Sequence, residues 1–311
     1  MSEPRRGVIG RGRLIAVLAI GLGLALAPAV FQMFTRAPGG GRMIDDFKPH
    51  MSETRLAGFR DDLALVTAAS AEQNLVSSSG LEVPPAVSEL QQKWPAIEDE
   101  MVGMVRTIEG NVHRFRGLVA LPPFWAFPWF FVIPGLAIAG VVAVGLRGGA
   151  IGGQAIRRTL VVLGVSLIAA PVVFQMFTRA PGGARMIDDF RPLMTEARIA
   201  AIQGHFLVLA SAEGELRTVV VPAAAAKGTE LPATAAFIRE WPRMAGDMAP
   251  MIGAMSDNLD NFAGVAALPP FWLFPWFFVL PGPLVGGLAL ARPLPRVAPV
   301  QATPLLERST S

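Results

Sequence analysis

Acid–base or metal chemistry in this chain would have to be built from three histidines, His50, His113 and His205, and from adjacent carboxylates such as Asp45-Asp46. Neighbouring carboxylates diverge on a helix, so the aspartate pair does not make a general acid and base aimed at one atom. Cys is absent, which excludes disulfides, thiol nucleophiles and Cys-ligated metals. The sequence holds no nucleophile elbow, phosphate-binding Walker loop, HExxH zinc motif or calcium-binding loop. The expectation is a non-enzyme that needs no cofactor and no metal.

The residues that do recur suit recognition at a membrane surface. The stretch FQMFTRAPGG occurs at 31–40 and again at 174–183. With the residues that follow, it places Arg36 and Arg42 in one copy and Arg179 and Arg185 in the other. Guanidiniums at headgroup depth can bind phosphate or carboxylate with paired hydrogen bonds. A second block, LPPFWAFPWFFVIPG at 121–135, is matched by LPPFWLFPWFFVLPG at 268–282. It carries Trp125 and Trp129, then Trp272 and Trp276, as an interfacial aromatic belt would. These eight residues are the candidate lipid- or partner-binding set.

Two readings of the first block stay open. In one it is a joint, with Pro-Gly-Gly turning the chain and Asp45-Asp46 opening a helix. In the other it is a paired site for an anionic lipid or a partner protein. Eight prolines are read as kinks or turns: Pro28, Pro38, Pro128, Pro134, Pro171, Pro181, Pro275 and Pro281.

The elements that position these blocks follow from composition. The chain is 52% hydrophobic and only 16% charged, whereas soluble domains carry about 25% charged residues. Four stretches free of Asp, Glu, Lys, Arg and His, at 14–34, 122–146, 159–177 and 269–291, are long enough to span a bilayer. The first also resembles a signal peptide, with Arg5, Arg6, Arg11 and Arg13 ahead of it. Pro28 beyond the small-residue site and the internal position of its counterpart argue against cleavage.

Charge placement sets the orientation. The N-terminus 1–13, the short loop 147–158 and the tail 292–311 are basic. The long segments 36–117 and 179–265 hold nine basic and twelve acidic, and eight basic and ten acidic residues. The positive-inside rule puts both termini and the short loop in the cytoplasm and the two long segments outside, in the plasma membrane of a cell. The net charge of +3 then reflects topology, and no nucleic-acid partner is expected.

The fold expectation is an all-α integral membrane protein with two tandem parallel repeats of span, extracytoplasmic helical hairpin and span. Repeat one covers 14–146, with its hairpin at 35–121; repeat two covers 159–291, with its hairpin at 178–268. The copies match at 18 of 21 positions over 31–51 and 14 of 18 over 118–135, but at only 5 of 17 over 14–30. Identity is therefore concentrated where the hairpins meet the spans. Apolar residues spaced alternately by three and four, from Leu90 and Trp94 through Met104 to Phe115, and from Phe237 and Trp241 through Met251 to Phe262, mark a packing stripe in each hairpin. Trp94-Pro95 and Trp241-Pro242 read as helix starts. Two hairpins side by side would form a four-helix bundle outside the membrane. The functional expectation is an accessory or scaffold subunit of an envelope complex, for example one moving lipids, with membrane lipids and a membrane protein as partners. Lipid binding or transfer by the chain alone, or the sensing half of a signalling complex, are the alternatives.

Overall fold

The computed structural model describes residues 9–78, 82–147 and 153–291. Arg5 and Arg6, residues 79–81, residues 148–152 of the short basic loop and the tail from 292 lie outside the described residues.

All regular structure among the described residues is helical. Helix α1 (Arg11–Val30) is the first of four segments long and apolar enough to cross a membrane. Helices α2 (Met33–Phe47), α3 (Glu53–Ser78) and α4 (Pro85–Val119) follow. The second spanning segment is a 3-10 turn at Phe124–Ala126 leading into α5 (Phe127–Leu146), and the third is α6 (Gly153–Val173). Then come α7 (Met176–Phe190) and α8 (Glu196–Glu215), a π-turn (Leu216–Val220), α9 (Val221–Ala226), α10 (Pro232–Asp257) and α11 (Leu259–Ala266). The fourth segment is a 3-10 turn at Phe271–Leu273 with α12 (Trp276–Val279) and α13 (Pro281–Leu290).

Two helix starts differ from the sequence reading. Trp94-Pro95 lies inside α4, which begins ten residues earlier at Pro85, and Trp241-Pro242 lies inside α10, which begins at Pro232. Each helix opens on the proline that suits its first turn. Trp94 and Trp241 instead belong to the packing stripe. At 35 residues, α4 is about 52 Å long at 1.5 Å per residue. The stripe itself is where the spacing puts it. Leu90, Trp94, Ile97, Met101, Met104, Ile108, Val112 and Phe115 are all buried, as are Phe237, Met244, Met248, Met251, Met255 and Phe262.

These residues form one core in which α3 packs on α4 and α10, and α8 packs on the same two helices. The spanning segments share a second core containing Val17, Ile138, Leu160 and Val285. Within it α1 packs on α5, and α6 on α13, at very short range. A Cβ built on Gly135 would stand 2.6 Å from the Gly21 carbonyl oxygen, and one on Gly282 would stand 2.7 Å from that of Gly164. Small residues let helix backbones touch where lipid supplies no hydrophobic drive. Gly21 and Gly164 occupy corresponding positions, which explains why glycine persists there in segments that have otherwise diverged.

The close crossing makes a defined prediction. Gly135→Val should destabilise the protein by about 1–3 kcal/mol, because a branched side chain would be forced against backbone. Gly140→Val, on the same helix with open space around it, should leave thermal unfolding in detergent unchanged. Equal behaviour of the two variants would refute the close crossing.

Candidate functional site

The first repeated block is helical, contrary to the turn expected at Pro38-Gly39-Gly40. The chain breaks earlier, at Gln32, whose φ is 54°, and at its counterpart Gln175, whose φ is 52°. A left-handed residue ends one helix and lets the next begin in a new direction. Thr35 Oγ1 donates to the Gln32 carbonyl at 2.9 Å, and Thr178 Oγ1 does the same to Gln175 at 2.9 Å. Pro38 and Pro181 then sit inside α2 and α7, and Asp45-Asp46 stands at the end of α2, not at a helix start.

The glycines serve close packing. A Cβ on Gly39 would lie 2.6 Å from Asn261 Oδ1 on α11, and one on Gly183 would lie 2.9 Å from Leu118 on α4. Each of these contacts joins one sequence copy to the other.

The arginines divide into two kinds. Arg36 Nη1 donates to the carbonyl of Ala267 at 3.2 Å, and Arg179 Nη1 donates to that of Ala120 at 3.0 Å. Ala120 lies just past the C-terminus of α4 and Ala267 just past that of the short α11, where backbone carbonyls lack helical partners. Arg36 and Arg179 are therefore half-buried, and each spends one guanidinium N–H on capping a helix end. Arg42 and Arg185 are exposed. The acid beside each block also reaches the other copy: Asn258 Nδ2 donates to Asp46 at 2.9 Å, and Asn111 Nδ2 donates to Asp189 at 3.1 Å.

The second block opens each of its spanning segments on a 3-10 turn that leaves Trp125 63% exposed, with Trp272 also exposed. Trp129 packs edge-on against Phe34 at 5.7 Å, and Trp276 against Phe177 at 5.9 Å. Pro128 occupies the first turn of α5, where its missing N–H is not needed, so it does not kink that helix. Pro275 precedes α12 and Pro281 opens α13, dividing that segment. Pro28, Pro134 and Pro171 do lie inside α1, α5 and α6.

Between α5 and α6 these features leave an apolar groove of about 430 Å³. Trp129, Phe130 and Ile133 form one wall, Ser166, Ala170 and Phe174 the other. The groove occupies the half of both helices nearest α7. Leu121, the residue after the carbonyl that Arg179 caps, also lines it. Arg179 thus bonds the backbone one residue away from the lining of this apolar trough. Sequence inspection could not find this groove, because its walls are assembled from two segments with no shared spacing.

Several ion pairs of the helical domain join one copy to the other. Arg55 meets Asp247 at 2.8 Å and Arg198 meets Glu100 at 2.7 Å. Asp62 is paired with Arg243, and His205 lies 3.2 Å from Glu100. His50 differs from these. It is 8% exposed, and its Nδ1 has no hydrogen-bond partner. Burial is the main cause that lowers its proton affinity; Arg55 adds to the effect and Asp247 opposes it. Among the described residues no group of three or more His, Cys, Asp or Glu side chains is placed to hold a metal.

No protein-family model, curated protein or solved structure matches this chain.

The His50 environment fixes a pH dependence. Its folded pKa lies below the unfolded value, so the unfolded chain takes up the proton first and stability falls as pH drops below about 6.5. Thermal unfolding followed from pH 7.5 to 5.5 should show this loss. His50→Leu, which copies Leu193 at the corresponding position, should show less of it. A variant with the full pH slope would rule out His50 as a source.

Proposed function

We propose that this chain is a non-catalytic, multi-pass membrane protein that binds a lipid at the outer leaflet. One acyl chain lies in the groove between α5 and α6, and an anionic headgroup lies beside Arg179. The observation that carries the reading is the groove itself. Its volume of about 430 Å³ falls within the roughly 300–1,000 Å³ of small-molecule sites. Its walls are almost wholly apolar, it lies between segments long and apolar enough to cross a membrane, and Arg179 bonds the backbone one residue from its lining.

In this reading the protein consists of two tandem parallel repeats, and its hairpins make a four-helix bundle outside the membrane. Charge asymmetry supports cytoplasmic termini and an extracytoplasmic bundle. The cross-copy ion pairs and helix caps support the pairing of hairpins within one chain. A second reading, an accessory or scaffold subunit, is favoured by the exposure of Trp125 and Trp272 beside the groove. Trp is enriched where proteins bind one another.

Native mass spectrometry of protein drawn gently from its own membrane separates the two. Lipid binding expects one retained lipid per chain, lost in Ala170→Trp, which fills the groove; thermal unfolding no lower than that of the parent chain would verify that the variant folds. A stoichiometric second protein with no lipid, lost when Trp125 and Trp129 become Ala, would replace this reading with the scaffold one.

A further inference from the structure

A small cavity in the core of the long helices, distant from the groove, has an unusual lining. It measures about 20 Å³, which is room for about one water-sized sphere. His50 lines it together with five methionines: Met51, Met104, Met194, Met251 and Met255. All six side chains are buried. We propose that this cavity is a soft-metal site that takes one Cu(I) ion, ligated by the His50 imidazole and by thioethers.

The orphaned Nδ1 of His50 is the first reason. A buried polar atom without a partner destabilises the fold, because it has given up its water and gained nothing in return. Water is a poor remedy, since a buried water makes about three hydrogen bonds and no other hydrogen-bonding side chain lines this cavity. Protonation is opposed by burial. A soft cation meets both demands, because imidazole and thioether are ligands that copper(I) accepts. Methionine is flexible enough to draw several sulfurs around one ion.

The second reason lies in the differences between the two copies. Met51 and Met194 correspond, as do Met104 and Met251, which provides four thioethers from paired positions. The copies depart from each other at two lining positions, and each departure adds a donor. His50 stands where copy two has Leu193, and Met255 stands where copy one has Ile108. Both Leu193 and Ile108 line the same cavity. Charge balance also permits a monovalent ion: Arg55, the cation that acts on His50, is neutralised by Asp247 at 2.8 Å. Hard divalent ions require oxygen ligands, which the lining lacks.

The test is an anaerobic titration of the full chain in detergent with Cu(I) against a coloured competing chelator. Native mass spectrometry with Ag(I), a redox-inert stand-in, gives the stoichiometry. One ion per chain is expected. Affinity should fall about tenfold or more in His50→Leu and also in Met255→Ile, a scale set by what ligand-environment changes cost other metal sites. Both substitutions reproduce residues that the other copy already packs into this cavity, and thermal unfolding of the metal-free variants at or above that of the parent chain would verify the fold. Absence of a retained ion would overturn the proposal. So would binding that both variants leave unchanged, since the ion would then sit elsewhere. Neither result depends on whether a lipid occupies the groove.

Discussion

The ends of the long helices are the constraint around which the molecule is arranged. A helix leaves four N–H groups and four carbonyls without partners, with positive charge gathered at one end and negative at the other. In α4 the N-terminus is met by Glu215, which accepts from Ala86 and Val87 at 2.7 and 3.1 Å. Its C-terminal side is met by Arg179. The run from α10 to α11 is treated in the same way. Glu72 accepts from Ala233 and Thr234 at 2.8 Å each, and Arg36 takes the far end. In every case an acid meets the positive end, a base meets the negative end, and the side chain comes from the other copy. Each copy supplies these caps to the long helices of the other.

The same dependence reaches the span junction. Gln32 and Gln175 redirect the chain sharply, and α2 and α7 then lie across the ends of the opposite copy. The helix crossings at Gly21–Gly135 and Gly164–Gly282 join the two spanning segments within each copy, whereas α5 meets α6 and α1 meets α13 more loosely. The groove opens at one of these looser contacts. Tight packing within copies and open packing between them account for its position.

Hydropathy and period made the four spanning segments and the buried stripe legible, because each is a local pattern carried on one helix. Local signals misled where tertiary contact overrode them. Pro-Gly-Gly reads as a turn, but it is a flat helix face pressed against Asn261 and Leu118. Pro95 and Pro242 read as helix starts, but α4 and α10 run through them, held by the core to which Trp94 and Trp241 contribute. The Arg36–Ala267 and Arg179–Ala120 contacts join residues far apart in sequence, and nothing in local spacing announces them. The cavity at His50 was hidden for a similar reason: Met104, Met251 and Met255 come from helices whose patterns read only as core, and His50, Met51 and Met194 come from the turns that follow α2 and α7.

The uneven divergence of the two copies has a source in what the caps grip. Arg36 and Arg179 bind main-chain carbonyls, and Glu72 and Glu215 bind main-chain N–H groups. Every amino acid supplies a carbonyl, and all but proline supply the N–H, so the gripped helices can exchange side chains freely and still offer the same handles. The gripping side chains have no such freedom. Mutation therefore meets resistance on only one side of each contact, and a helix can lose nearly all resemblance to its duplicate while the block that clasps it stays unaltered.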